Sequence, residues 1–423
     1  MSFDTSRFTF NPWNDYSGVV MEQGRVQLDS DWNEWLAQLL RRIQAGTLDI
    51  LGQAVYPATT PFAFQITVTT DASGVNHVNI GPGRMYVDGL LAENHGAQST
   101  AAWDPALAEL SGSPRPPASS PTGTIDFTAQ PYYPGAALPE GSGPFLAYLD
   151  VWTRPVTYIE DANLVDPAVN VDTTGRLQTV WQVKLAAVQG ATCASTPWAG
   201  PSIGQLTNGY AGSGASGPCC LTSGANYTGL ENQFYRVEIH QPGTPGAGTA
   251  TFKWSRDNAS VETGVTAIQQ VTNSIGSNAA QLTVLSLGRD QVLGFAPGNW
   301  IEIIDDDLEL SGLPGELHLI DTVDFASKTI TLVDLLQTPG SFPVNGTNQT
   351  TASRHTRIRR WDQAGPIYQV GATPGSTVLW ADLGAAGSTG DIPVPPPGTT
   401  LILENGITVA FGQIGRASCR ERV

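Results

Sequence analysis

The chain is poor in charge and nearly devoid of lysine. Only 14% of its 423 residues are charged, against roughly 25% in an average domain, and lysine stands at positions 184, 253 and 328 alone. With a formal net charge of −17, nothing supplies a cationic groove that could track phosphates, which argues against nucleic-acid binding. The same deficit disfavours docking on anionic lipid. Cysteine is scarce as well: Cys193, Cys219, Cys220 and Cys419 form no CxxC pair and no Cys/His cluster at zinc spacing. Cys193 and Cys220 flank one loop and could pair, but a cytosolic chain favours reduced thiols. Long apolar runs are lacking. The stretch 145–152 falls well short of the ~20 residues needed to span a bilayer. The N-terminus has no basic stretch followed by an apolar core, so it does not read as a secretory leader. Together these absences predict a chain made as a soluble cytoplasmic protein, without membrane insertion. They leave open a place in an extracellular or tail-like particle.

What is present is glycine, proline and tryptophan: 46 Gly, 30 Pro and 11 Trp. An apolar content of 40% is enough to build cores, so a disordered chain is excluded. The turn-rich, charge-poor composition predicts a mainly β fold with many short strands. Its length predicts two to four domains.

The organisation predicted along the chain is as follows. Residues 1–56 hold an aromatic segment and an anchoring helix over 29–52, where Trp32, Trp35, Leu36, Leu39, Leu40 and Ile43 fall on one stripe. Asp31 with Glu34 reads as a capping pair, and Arg41 and Arg42 suit the C-terminal dipole end. Gly46 permits a stop, after which Thr47 caps a short further turn. A stripe with two Trp ordinarily packs on its own domain; the rival reading packs it on partner copies. Residues 57–190 read as a first β-domain, with a hairpin signal at Asp88-Gly89 and a Pro/Gly/Ser-rich loop at 111–144. A second loop, rich in Gly, Ser and Pro, covers 191–229. Residues 230–412 read as a second β-domain, of sandwich or barrel type like the first, with a small barrel inserted at about 262–336. Asn405-Gly406 marks a further hairpin.

Candidate chemistry is thin. Gly212, Gly214 and Gly217 match GxGxxG by letter, but no apolar strand precedes them and no amphipathic helix follows, so no pyrophosphate site is expected. Asp305, Asp306 and Asp307, with Glu302 and Glu309 nearby, lack the D-x-D-x-D-G spacing of a calcium loop. On a strand, consecutive Asp residues would point to opposite faces, and a solvated strand end is expected. The five histidines stand singly, and no HExxH, GxSxG, Ser-x-x-Lys or phosphate-loop pattern occurs. No catalytic residue, metal site or cofactor is therefore predicted, and the protein is expected not to be an enzyme. Trp254 in F-K-W-S-R-D and Trp361 in R-R-W-D sit between charged residues. Trp254, Arg256, Asp257 and Trp361 could contact a glycan. The favoured alternative puts both Trp rings in the core, with Arg and Asp pairing outside.

The last ten residues, 414–423, back-translate without a break to what resembles a sequencing-adapter read, and are expected to be foreign to the protein. Removing their three Arg and one Glu leaves 18 basic and 37 acidic residues, a net of −19. On this reading the natural chain continues beyond Gln413.

Several blocks resemble a functionally uncharacterised bacterial domain family. They are F-T-F-N-P-W-N-D-Y-S-G-V-V-M-E-Q-G-R-V-Q-L-D-S-D-W-N-E-W at 8–35, T-V-W-Q-V-K-L at 179–185 and L-E-N-Q-F-Y-R-V-E-I-H at 230–240. A-T-F-K-W-S-R-D-N-A-S-V at 250–261, R-R-W-D at 359–362 and L-E-N-G-I-T-V at 403–409 complete the set. Members often carry this module ahead of further segments, some resembling right-handed parallel β-helices. The segment I-G-P-G-R-M-Y-V-D-G at 80–89 is more loosely similar to an early strand–turn element of phage-tail and contractile-injection attachment proteins. The resemblance supplies no catalytic residues. It implies only that the chain continues past Phe411. The expected function is a non-enzymatic structural module of a larger, C-terminally truncated, tail- or fibre-like protein, and Tyr16, Trp32, Trp35, Leu36 and Leu39 are the residues expected to anchor it. The expected partners are further copies, a trimer being the expected state, and other assembly proteins. The competing expectation is an N-terminal module of a carbohydrate-binding or polysaccharide-cleaving β-helix protein.

Overall fold

A computed structural model describes residues 3–97, 123–141, 143–188, 204–210, 233–338, 342, 354–371 and 376–414. All four cysteines, the GxGxxG stretch and residues 415–423 lie outside these. The fold is mainly β, with one long helix near the N-terminus, and it divides into two compact units.

One unit comprises Phe8–Val156 and Arg176–Ala199. It opens with helix α1, Asp29–Leu51. Asp31 sits in the first turn, and its carboxylate accepts from the Leu28 N–H at 3.0 Å. It therefore caps from the third helical position, whereas the sequence pattern paired it with Glu34. The helix also passes through Gly46 without a break. It ends at Gly52, whose φ of 96° is open to glycine but disfavoured for other residues.

Strands β1 (Ala54–Val55), β2 (Ile66–Thr70), β3 (Asn76–Ile80), β4 (Gly83–Val87), β5 (Leu90–Asn94) and β6 (Ile125–Asp126) follow. They make two antiparallel sheets of order β1-β4-β5 and β2-β3-β6. The predicted hairpin is present: Val87 pairs with Leu90 across Asp88 (φ 47°) and Gly89 (φ 79°), the doubly positive conformation that matches strand twist. Strand β7 (Phe145–Val156) pairs along its length with a later strand, Arg176–Ala187, from Phe145↔Ala187 to Val156↔Arg176. The core gathers on Trp181, which meets Phe64 edge-to-face at 5.0 Å and Tyr132 at 6.1 Å. Its indole N–H donates to the Glu93 carbonyl at 2.7 Å, so the buried ring leaves no unmet donor.

The other unit comprises Met1–Arg7, Thr157–Gly175 and Gly200–Val423. The segment 157–175, placed by sequence in the first β-domain, thus belongs here. It carries the short pair β8 (Val165–Asp166) and β9 (Val171–Asp172); Arg176–Ala187 is β10. Strands β11 (Leu206–Tyr210), β12 (Arg236–Ile239) and β13 (Thr251–Ser255) come next, then a closed six-strand barrel. The barrel strands are β14 (Glu262–Thr272), β15 (Asn278–Val284), β16 (Trp300–Ile304), β17 (Glu316–Asp324), β18 (Thr329–Leu332) and β19 (Arg357–Trp361). Their order is β14-β15-β18-β17-β16-β19. The inserted barrel predicted over 262–336 is there, but it closes only by recruiting β19 from beyond that span. Val265, Leu282, Ile301, Ile303, Ile330 and Ile358 are fully buried in its core. A barrel this narrow is filled by side chains and is no channel.

After the barrel come β20 (Pro366–Val370), β21 (Thr377–Asp382), β22 (Ile392–Pro393), β23 (Thr400–Ile402) and β24 (Ile407–Phe411). Sheets β11-β24-β23-β20-β21 and β12-β13-β22 enclose one apolar core that contains Phe252, Trp254, Leu401 and Phe411. Asn405 and Gly406 turn the last hairpin with φ of 51° and 78°. The expected solvated strand end at Asp305–Asp307 is instead the start of a short helix, α2 (Asp306–Ser311). Asp305 caps it by accepting from Leu308 N–H at 3.0 Å. Ile414 packs against the sandwich core.

Candidate assembly face and the buried charge network

Helix α1 lies with its polar side covered and its apolar side bare. Ser30 and Gln38 are buried, and Glu34 is half-buried. Glu34 accepts from Thr9 Oγ1 at 2.5 Å and from Gln38 Nε2 at 2.9 Å. On the opposite side Trp32, Trp35, Leu36, Leu39, Leu40 and Ile43 are 50%, 47%, 44%, 44%, 45% and 55% exposed. The ordinary expectation, that this stripe packs on its own domain, is therefore not met. Trp32 and Trp35 stack edge-to-face at 5.8 Å, which makes one continuous aromatic step on the bare side. The preceding arm adds Phe8, Trp13, Tyr16, Val20 and Val26, all more than half exposed. All five predicted anchor residues thus share one exposed stretch of arm and helix. Contiguous apolar surface of this kind is unusual on a free chain and marks interaction sites.

The four candidate ligand residues do not form a binding surface. Trp254 and Trp361 are 1% and 0% exposed, so neither ring offers a free face to a sugar. The core reading describes them. Trp361 is instead capped from within by cations: Lys253 Nζ lies 4.6 Å and the Arg236 guanidinium 5.6 Å from its ring. Arg256 is held by Glu404 at 2.5 Å through two nitrogens, and Asp257 begins a tight turn with φ 47°.

Sequence reasoning missed a buried ionic network between the sandwich and the barrel. Strand pairing explains its layout. Trp300 stands opposite Trp361 and Glu302 opposite Arg359, so these four side chains share the barrel's outer face while Ile301 and Ile303 point inward. Lys253, from the sandwich strand β13, reaches Glu302 at 2.5 Å. Glu302 also accepts from Gly315 N–H at 3.0 Å and Trp361 Nε1 at 3.1 Å. Burial alone would raise its pKa, but the charges of Lys253 and His240 outweigh this and hold it at about 2. His240 bonds Asp391 at 2.7 Å and the Gly315 carbonyl at 3.0 Å.

A second cluster surrounds Arg357, which is fully buried. Its guanidinium meets Glu262 at 2.8 Å, Asp306 at 2.9 Å, Glu160 at 3.6 Å, and Glu309. Burial drives the Glu160 carboxyl above its usual range even though Arg357 pulls it the other way. Burial likewise pushes the neighbouring Tyr158 phenol up to about 12. Glu160, Asp306 and Glu309 bring carboxylate oxygens within 4.8 Å of one another, the one grouping of metal-ligand type among the described residues. Arg357 occupies that position and supplies the positive charge. The signal in the sequence was R-I-R-R-W itself: cations on a strand that must be buried require carboxylates from other elements. The network ties together β13, β14, β16, β19, α2 and the segment 157–175, and its chemistry is that of a structural clamp. No helix among the described residues is long and apolar enough to cross a membrane.

Comparison with known proteins gives a family but no activity. No curated protein matches the chain. Among solved structures, the chain shows a likeness to VP17, a capsid protein of bacteriophage P23-77, at 11% identity over 44% of this chain and 76% of that one. The TM-score is 0.11, too low for the two folds to be argued alike. A family model matches residues 1–196 and 191–376, which is most of the sequence. The chain belongs to DUF6519, a family of unknown function.

Proposed function

We propose that the chain is a non-catalytic structural module that enters a larger assembly through its N-terminal arm and helix α1. The observation that carries this reading is the inverted helix: Ser30, Glu34 and Gln38 are turned inward while the Trp32–Ile43 stripe is left bare. Burying such a stripe against a partner removes apolar surface from water at roughly 25 cal/mol per Å². The clamps fit the same role, because Lys253–Glu302 and Arg357–Glu160 lock the barrel to its neighbours. A tail- or fibre-like particle is the setting favoured by the resemblance over 80–89. The glycan reading has lost its two stacking rings to the core.

The test is the size of the particle that carries this chain after mild lysis of cells producing it. With Trp32→Ala and Trp35→Ala the chain is expected to sediment as a lone subunit, with unchanged far-UV circular dichroism. Sedimentation in a complex as large as that of the unaltered chain would overturn the proposal.

A further inference from the structure

The bare face of α1 also carries information about what covers it. Trp32, Leu36, Leu39 and Ile43 recur at alternating steps of four and three residues, the a/d seam of a coiled coil. Trp35 precedes Leu36 and Leu40 follows Leu39, so these two flank the seam. Arg42, one turn before the helix passes Gly46, lies on the same flank as Trp35, two turns further along.

We infer that the occupant of this face is the same helix of a second copy, running antiparallel about a two-fold axis. The inference rests on the assembly reading above and deepens it. Opposing Leu36 to the second copy's Leu39 also opposes Trp32 to its Ile43, and each contact repeats reciprocally, as an isologous interface requires. In that register the Arg42 guanidinium of each copy meets the Trp35 ring of the other, a cation–π contact. Asp29, in the acidic first turn and on the seam side of the helix, comes within about one turn of the other copy's Arg42, given a rise of ~1.5 Å per residue. The two helix dipoles oppose and attract. Parallel packing loses these terms: it leaves Arg42 about two turns from the other copy's Trp35 and sets acidic turn beside acidic turn. For a chain already at −17, adding like-charge contacts is costly. The charge order thus favours a two-fold pair over the trimer expected above.

The experiment uses the purified full chain and a residue exchange that only antiparallel packing couples. Self-association is measured by sedimentation equilibrium for Trp35→Glu and Trp35→Lys, each with Arg42 kept or replaced by glutamate. With Arg42 present, the Trp35→Glu chain is expected to pair about tenfold more tightly than the Trp35→Lys chain, because unlike charges meet across the axis. With Arg42→Glu the order is expected to invert. Thermal unfolding at high dilution checks that all four fold alike. Pairing without inversion overturns the antiparallel arrangement. An unaltered chain that stays monomeric at every concentration overturns the second copy as occupant. In that case a large particle in the lysis experiment would still uphold the assembly reading.

Discussion

Thr9 Oγ1 donates to Glu34 at 2.5 Å, and this bond joins the N-terminal arm to the polar side of helix α1. A carboxylate that would ordinarily face water is thereby turned inward, and the Trp-bearing side of the helix is turned out.

Two glycines on and beside this helix are expected to respond oppositely. Gly46 is inside the helix, and an added Cβ there meets nothing within 4 Å. Gly46→Ala should therefore raise stability by about 0.5–1 kcal/mol, since alanine loses less backbone entropy. At Gly89 a Cβ would lie 2.4 Å from the Gln44 carbonyl oxygen, at φ +79°. Gly89→Ala should lower stability by more than about 1 kcal/mol. Urea unfolding of both variants checks the pair.

The Lys253–Glu302 pair should be costly to break and cheaper to remove whole. Lys253→Met leaves a carboxylate buried without its cation and is expected to cost about 3–5 kcal/mol. Adding Glu302→Gln should recover part of this, because the amide oxygen can still accept from Gly315 N–H. A double variant less stable than the single one would show that the pair is not the dominant interaction of Glu302.

Arg357 predicts a pH-dependent rescue. Arg357→Leu leaves Glu160, Glu262, Asp306 and Glu309 facing one another. Burial already holds the Glu160 carboxyl above its usual range, and losing the Arg357 charge raises it further, so the folded state binds more protons and gains stability as pH falls. The variant should be destabilised by at least about 3 kcal/mol at neutral pH and regain part of that near pH 5. Thermal melts from pH 8 to pH 5, compared with the unaltered chain, read this out.

His318 should set an alkaline limit. Burial disfavours its charged ring, but hydrogen bonds to Asp334 at 2.8 Å and Glu316 at 3.1 Å outweigh burial and raise its pKa to about 9. A folded pKa above the unfolded 6.5 contributes stability that is complete below that value and lost as pH rises through about 9. The full contribution is of the order of 3 kcal/mol, less whatever solvent screening at the exposed Asp334 removes. The stability gap between the unaltered chain and His318→Gln should therefore shrink between pH 6.5 and pH 9.5, followed by chemical denaturation.

The helix and the hairpins at Asp88-Gly89 and Asn405-Gly406 were legible in the sequence because each rests on local physics: side-chain period, positive φ, turn chemistry. The alternation in Trp300–Ile304 separates an apolar inner face from an outer face with Trp300 and Glu302. Strand β19 was only partly legible, because R-I-R-R-W signals buried cations but not which carboxylates meet them. Its arginines become strand residues only when Glu262, Asp306, Glu309 and Glu160 come from other places in the chain. Asp305–Asp307 misled for a related reason: a run of carboxylates looks solvated until Arg354 and Arg357 approach it. The sequence by itself determined a turn-rich β chain, one amphipathic helix and an acidic surface, since composition and periodicity act locally. Tertiary structure alone decided which side of that helix faces inward and which charges are buried, because both depend on contacts between residues far apart in the chain.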